Sequence, residues 1–100
     1  MDQASQDFDR KIVKHIDMLH RVFEYYKKNG FMDKLGINLL DWSLNFIVPD
    51  TQRSEVKAPE EHLRSFMLLI QEYGLEKYFC DLNKCTKALV RKLLKYKQEK

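Results

Sequence analysis

The segment FDRKIVKHIDMLHRVFEYYKKNGF, residues 8–31, decides the fold class. Its large apolar side chains recur at steps of three and four, the spacing that places them on one side of an α-helix. They are Phe8, Ile12, Ile16, Leu19, Phe23 and Tyr26. Gly30 suits the left-handed position that follows a helix, and Phe31 supplies the apolar contact beyond it. The pattern predicts an amphipathic helix over residues 6–28.

A shorter helix is predicted after this first one. Asn38 can cap a helix over residues 39–47, with an acidic side chain three positions later as in a capping box. Residues 46–48 could instead be extended. Pro49 ends the helix because the residue before a proline disfavours helical backbone. The polar residues 48–58 are then predicted to form the main loop.

Two further helices are predicted in the second half of the chain. Pro59 suits the first position of a helix over residues 59–73, whose apolar middle predicts the most buried, central helix. A fourth helix over residues 81–97 has apolar side chains at heptad-like spacing, namely Leu82, Cys85, Leu89, Leu93 and Tyr96. Nearly complete burial is predicted for Ile16, Leu63, Phe66, Ile70 and Leu89.

The composition indicates one small helical domain over residues 1–100, a length typical of an independent fold. Three Gly and two Pro leave little material for the turns of a many-stranded sandwich or barrel. We therefore expect an all-α chain in which about four helices pack as a small antiparallel bundle.

The sequence contains no pattern typical of a catalytic, cofactor-binding or metal site. It has no Gly-rich phosphate loop and no GxSxG, HExxH or CxxC motif. His15 and His20 are five residues apart and diverge on a helix, and no Cys or carboxylate completes zinc-ligand spacing with them. Cys80 and Cys85 are too few for a disulfide framework. We expect a protein that is not an enzyme and holds neither a cofactor nor a metal.

Positive charge is concentrated at the end of the chain. Residues 76–100 carry eight basic and three acidic side chains, whereas residues 41–75 carry three basic and six acidic ones. On the predicted fourth helix, four cations spaced by three, four and four residues form a basic ridge, consisting of Lys84, Lys87, Arg91 and Lys95. This ridge is either a solvated face that compensates the helix dipole or a surface for phosphates or an acidic partner.

Large apolar side chains exceed what a single core stripe requires. Trp42, Tyr78 and Phe79 are the aromatic members of this surplus. They either pack around a central helix or form a patch for self-association or for a partner, where Trp and Tyr are frequent hot-spot residues. The candidate partner-binding residues are Lys84, Lys87, Arg91, Lys95, Trp42, Tyr78 and Phe79.

Together these features predict a protein-binding module, such as a small helical adaptor, regulator or immunity-type inhibitor, that acts through helix faces. Its partner would be another protein, for example an acidic one, or a second copy of the chain. A nucleic-acid-binding protein that uses the basic ridge is the first alternative. A small helical enzyme with its active site at a subunit interface is the second.

No apolar run approaches the length of a membrane span, and the N-terminal residues lack a secretory pattern, so we expect an intracellular protein of the cytoplasm or nucleus.

Overall fold

A computed structural model of the chain describes residues 3–97, with side chains from residue 8 onward. This part of the chain forms five helices and no strand. They are α1 (Gln3–Lys28), α2 (Met32–Thr51), α3 (Pro59–Glu72), the 3₁₀-helix η1 (Leu75–Asp81) and α4 (Lys84–Leu94). The predicted all-α class is confirmed, with five helices in the described range where about four were expected. The Cα radius of gyration is 13.6 Å, as expected for a compact chain of this length.

Helix α1 ends as its sequence predicts. Gly30 has a φ of 72°, a left-handed conformation that a side chain would strain. The Phe31 N–H donates to the Tyr26 carbonyl at 2.8 Å, and the Gly30 N–H donates to the Lys27 carbonyl at 3.3 Å. This pair of hydrogen bonds is a Schellman motif, and it turns the chain directly into α2.

Helix α2 is much longer than predicted, and the boundaries 39–47 are wrong at both ends. The Leu35 N–H already donates to the Phe31 carbonyl, so Asn38 lies inside the helix and does not cap it. Pro49 also lies inside the helix, in its last turn, where its missing N–H costs a single hydrogen bond. Ile47 and Val48 are fully buried, and this burial outweighs the local preference of a residue before proline. The main loop is therefore confined to residues 52–58.

Helix α3 begins at the predicted proline and ends within one residue of the predicted position. Leu63, Phe66 and Ile70 are buried, as predicted. It shares the centre of the fold with α2, because each of these two helices packs against all the other helices. The expectation that Ile16 and Leu89 would be almost fully buried is wrong, since both are only partly buried at the edge of the core.

Helix α4 begins three residues later than predicted. Gly74, with a φ of 69°, ends α3, and the tight helix η1 separates it from α4. The Asn83 side-chain oxygen accepts a hydrogen bond from the Thr86 N–H at 2.8 Å and so caps the start of α4. The residues of α4 that turn inward are Thr86, Val90 and Leu93. Cys85, which the heptad-like spacing places on the apolar stripe, is therefore exposed.

Candidate functional site

Every fully exposed side chain of α2 between residues 35 and 49 is uncharged, and the one charged residue of this interval, Asp41, is partly buried. The exposed residues in this interval are Leu35, Asn38, Trp42, Asn45 and Pro49. Their spacing of three, four, three and four residues places them in one line along the helix, about 21 Å long at roughly 1.5 Å of rise per residue. A third of the chain is charged, and an exposed helix face normally carries charged residues. We call this line the α2 seam.

Trp42 is the largest side chain of the α2 seam, and 48% of its surface is exposed. Its indole stacks on the Phe46 ring, with centroids 5.5 Å apart and planes inclined by 22°. Phe46 in turn lies against the His15 ring of α1, with centroids 4.8 Å apart. The indole is therefore held in place by side chains from two helices while one face stays open to solvent. A large, pre-positioned aromatic ring of this kind is typical of a binding hot spot.

Apolar surface continues from the α2 seam around the turn into α1. The Tyr25 and Phe31 rings lie 6.1 Å apart, and both are exposed. Met18, seven residues before Tyr25 on α1, is also exposed. The Tyr25 and Phe31 rings extend the apolar surface beyond α2, whereas Met18 lies in a pocket whose other lining residues, Lys14, Asp17 and Arg21, are charged.

Asn45 has one committed and one available hydrogen-bonding group. Its side-chain N–H₂ donates to the Asp41 carbonyl at 2.8 Å and to Thr86 Oγ1 at 3.3 Å. The buried Thr86 hydroxyl donates to the Asp41 carboxylate at 2.6 Å, which fixes this network between α2 and α4. The Asn45 Oδ1 atom accepts no hydrogen bond from the described residues. Asn38, about two helical turns earlier on the seam, makes no side-chain hydrogen bond within the described part of the chain.

The four residues of the basic ridge lie where the sequence predicts. Lys84, Lys87, Arg91 and Lys95 are all exposed, on the side of α4 opposite its buried residues. The aromatic candidates on η1 differ from Trp42, because Tyr78 and Phe79 are partly buried against the core. Whether any of these residues binds a partner stays a prediction.

At its C-terminal end the basic ridge borders a pocket of about 310 Å³. Arg91, Lys92 and Lys95 line one side of this pocket, and Glu60 is the acidic residue in its wall. Tyr96 also lines it, with its ring under the Lys95 ammonium at 5.2 Å from the centroid. The Tyr96 hydroxyl is buried and has no hydrogen-bond partner among the described residues. The excess of cations makes the pocket attractive to an anionic group.

A buried carboxylate–imidazole pair joins α1 to α3. His62 Nε2 donates to Asp9 Oδ2 at 2.7 Å, and the Lys57 and Ala58 N–H groups donate to the two Asp9 oxygens at 2.9 and 3.1 Å. Burial by itself raises the pKa of Asp9, but these hydrogen bonds and the His62 charge outweigh it, so the pKa lies below its ordinary value. Both carboxylate oxygens are engaged in holding the start of α3, which is a structural task.

The sequence patterns assign no role to Asp9 or His62 and do not indicate this pair. His62 is buried. The two residues of the pair are 53 positions apart, so no local spacing could have indicated the contact.

Among the described residues, no group of three or more His, Cys, Asp or Glu side chains is arranged to hold a metal ion. None of the helices in residues 3–97 is long and apolar enough to cross a bilayer.

No family model, curated protein or solved structure matches this chain.

Proposed function

We propose that the protein is a non-enzymatic protein-binding module that receives a helix of its partner along the α2 seam. The observation that carries this proposal is the uncharged, exposed line of residues from Leu35 to Pro49 with the half-exposed Trp42 in its middle. An adaptor, a regulator or an immunity-type inhibitor would each act through such a face.

The shape and chemistry of the α2 seam favour a helical partner. Alternating spacings of three and four residues match the way in which one helix packs along another. Helix-binding surfaces present apolar side chains along such a line, and the partner contributes an apolar face of matching spacing. Trp42 would be the main contact, because an indole buries on the order of 200 Å² when it is covered.

The experiment that tests this proposal compares matched surface variants in a pull-down from a lysate of the native host. Trp42→Ala removes the indole from the α2 seam, and truncation of a hot-spot residue weakens binding by about 2 kcal/mol or more, which is roughly 30-fold. Leu68→Ala is the matched control, because Leu68 is an exposed apolar residue on α3. We expect Trp42→Ala to lose a nuclease-resistant protein band that Leu68→Ala retains. Retention of every captured protein by Trp42→Ala would contradict the proposal.

Asn38→Glu provides a second variant that leaves the Trp42–Phe46 stack intact. It places a charge in the α2 seam, and covering an unpaired charge by a partner is costly. Its exposed position within α2 leaves the fold and the melting temperature nearly unchanged. Capture by this variant should decrease as it does for Trp42→Ala.

A second candidate function is phosphate binding by the basic ridge, and the cationic pocket at its end is the observation that favours it. A short DNA duplex titrated at increasing NaCl concentrations tests this candidate. Phosphate contacts would make the logarithm of the affinity fall linearly with the logarithm of salt, with a slope of about −0.9 per contact. The Lys87→Glu/Arg91→Glu/Lys95→Glu variant should abolish such binding without lowering the melting temperature. The α2-seam variants should leave it unchanged.

A further inference from the structure

We propose that the helix received by the α2 seam is α2 of a second copy of this chain, in antiparallel orientation, with the two Trp42 side chains meeting at the twofold axis. This inference rests on the proposed function, since it names the partner of the same surface. It follows from the order of side chains along the seam.

The α2 seam is nearly symmetric about Trp42. Leu35 lies seven residues before Trp42 and Pro49 lies seven residues after it, so an antiparallel copy places each of them opposite the other. Asn38 lies four residues before Trp42 and Asn45 three residues after it. The resulting offset between these two amides is about 1.5 Å along the helix, which is within the reach of an asparagine side chain. A twofold interface requires this kind of self-complementary surface.

The hydrogen-bonding state of the two asparagines is also complementary. The Asn45 N–H₂ group donates to the Asp41 carbonyl and to Thr86 Oγ1, and its Oδ1 atom accepts no hydrogen bond from the described residues. Asn38 has an N–H₂ group without a partner among the described residues, and it can donate to Oδ1 of Asn45 in the second copy. The twofold axis generates this hydrogen bond twice. Each amide inside the interface would then be satisfied, and the polar pairs would fix the register.

Electrostatics do not oppose the contact between copies. Every exposed side chain from Leu35 to Pro49 is uncharged. The one acid in this interval, Asp41, is partly buried, and its carboxylate accepts the Thr86 hydroxyl of the same copy, so no exposed like charges face each other in the seam. The basic ridge is on α4, and its residues do not belong to the seam. Two α2 seams with their aromatic side chains cover a total area on the order of 1,000 Å², the lower end for specific interfaces. An interface at this lower end of the size range is typical of weak, reversible association, so we expect monomer and dimer to exchange with protein concentration.

Two independent readouts test for the dimer in the full chain. Sedimentation equilibrium should show a mass that rises from 12.1 kDa towards twice that value as the concentration increases through the micromolar range. Trp42 is the only tryptophan, so its emission should shift to shorter wavelength over the same range as the indole loses water. Leu68→Glu, with a charge on the exposed surface of α3, is the control and should dimerise as the wild type does. A wild-type protein that stays monomeric at several hundred micromolar overturns the inference.

A pair of charge variants tests the antiparallel register. Asn38→Glu alone and Asn45→Lys alone each bury an unpaired charge and should weaken the dimer at least tenfold. In a mixture of the two, the antiparallel register places the Asn38→Glu carboxylate opposite the Asn45→Lys ammonium and keeps one native Asn–Asn pair, so dimers should reappear. A parallel arrangement would not bring these two charges together. Far-UV circular dichroism of each variant establishes that the helices are intact, and a mixture that stays monomeric overturns the antiparallel pairing.

The outcome also separates this inference from the proposed function. A monomeric wild type that captures a different protein in a Trp42-dependent way overturns the self-association and supports the helix-binding module. A wild type that neither dimerises nor captures a protein through Trp42 overturns both.

Discussion

His62 Nε2 donates a 2.7 Å hydrogen bond to Asp9 Oδ2 and so joins two helices across 53 residues of sequence. The same carboxylate accepts hydrogen bonds from the N–H groups of Lys57 and Ala58, the last two residues of the loop before α3. Asp9 therefore acts as a cap for a helix to which it does not belong. Because α3 lies at the centre of the fold, this single carboxylate couples the position of α1 to that of the core.

Asp9→Asn should destabilise the protein by about 1–3 kcal/mol at neutral pH, because an amide presents an N–H₂ group to donors that require an acceptor. The folded protein lowers the pKa of Asp9 below its ordinary value of 3.8. Its stabilising contribution is therefore complete above that ordinary value and is lost as the pH falls through the folded pKa. Urea unfolding between pH 7 and pH 2.5 should show the difference between wild type and Asp9→Asn shrinking towards the acid end.

Asp17→Asn is the matched control for that measurement, since Asp17 is an exposed acid on the same helix. Its free energy of unfolding should stay within about 0.5 kcal/mol of the wild type, as for an ordinary surface substitution. A pH dependence of Asp9→Asn identical to that of the wild type would contradict the assigned role of the carboxylate.

Asn83→Ala and Asn38→Ala should have opposite consequences. Asn83 caps α4 through the Thr86 N–H, and the loss of an N-cap costs about 1 kcal/mol. Asn38 lies inside α2, where alanine is the better helix former by a few tenths of a kcal/mol, so its replacement should be neutral or slightly stabilising. Thermal melts at a protein concentration below self-association measure both. Equal destabilisation by the two variants would show that α2 begins at Asn38 after all.

Ile70→Ala should cost about 2–5 kcal/mol, because Ile70 is fully buried and its truncation leaves a cavity in the core. Leu68 lies two residues earlier on the same helix and is 43% exposed. Leu68→Ala should therefore change the free energy of unfolding by less than about 1 kcal/mol. Denaturant titration of both variants checks the orientation of α3, and a reversed order of the two effects would show that the helix is turned.

Gly36→Val should destabilise the protein by about 1–3 kcal/mol through overpacking. A Cβ atom at this position would lie 3.1 Å from Tyr78 Cε2 and 3.4 Å from Leu75 Cδ2. Gly36→Ala adds only that Cβ atom, and the partly exposed Tyr78 ring can shift away from it. About 1 kcal/mol of gained helix propensity should then offset the close contact and leave the free energy of unfolding nearly unchanged. Comparison of the two melting temperatures shows whether the contact is rigid: an alanine variant as unstable as the valine variant would mean that Tyr78 cannot move.

Local patterns predict the parts of this fold that depend on local chemistry. The amphipathic stripe of α1, the glycine at position 30 and the proline at position 59 each act within a few residues, and the structure agrees with all three predictions. The predicted limits of α2 are wrong because they depend on burial against distant parts of the chain. Asn38 and Pro49 are good local signals for helix ends, but Ile47 and Val48 gain more free energy from burial than the proline costs.

The candidate site shows the same division. Spacing alone identifies the basic ridge and places Trp42, with Tyr78 and Phe79, among the surplus apolar residues. It does not show that Tyr78 and Phe79 pack against the core while Trp42 keeps half its surface open, because both kinds of residue are equally apolar. The α2 seam becomes visible only once α2 is known to extend from Met32 to Thr51.

Local sequence patterns are sufficient to predict the helical class of the described chain, the C-terminal end of α1, the start of α3 and the line of cations on α4. All of these follow from interactions between residues that are close along the chain, where periodicity and backbone preference act. Tertiary structure alone decided the continuation of α2 through Pro49, the contact between Asp9 and His62 and the open face of Trp42. These depend on which surfaces are removed from water when distant segments meet, and burial of that kind can exceed any local preference by several kcal/mol.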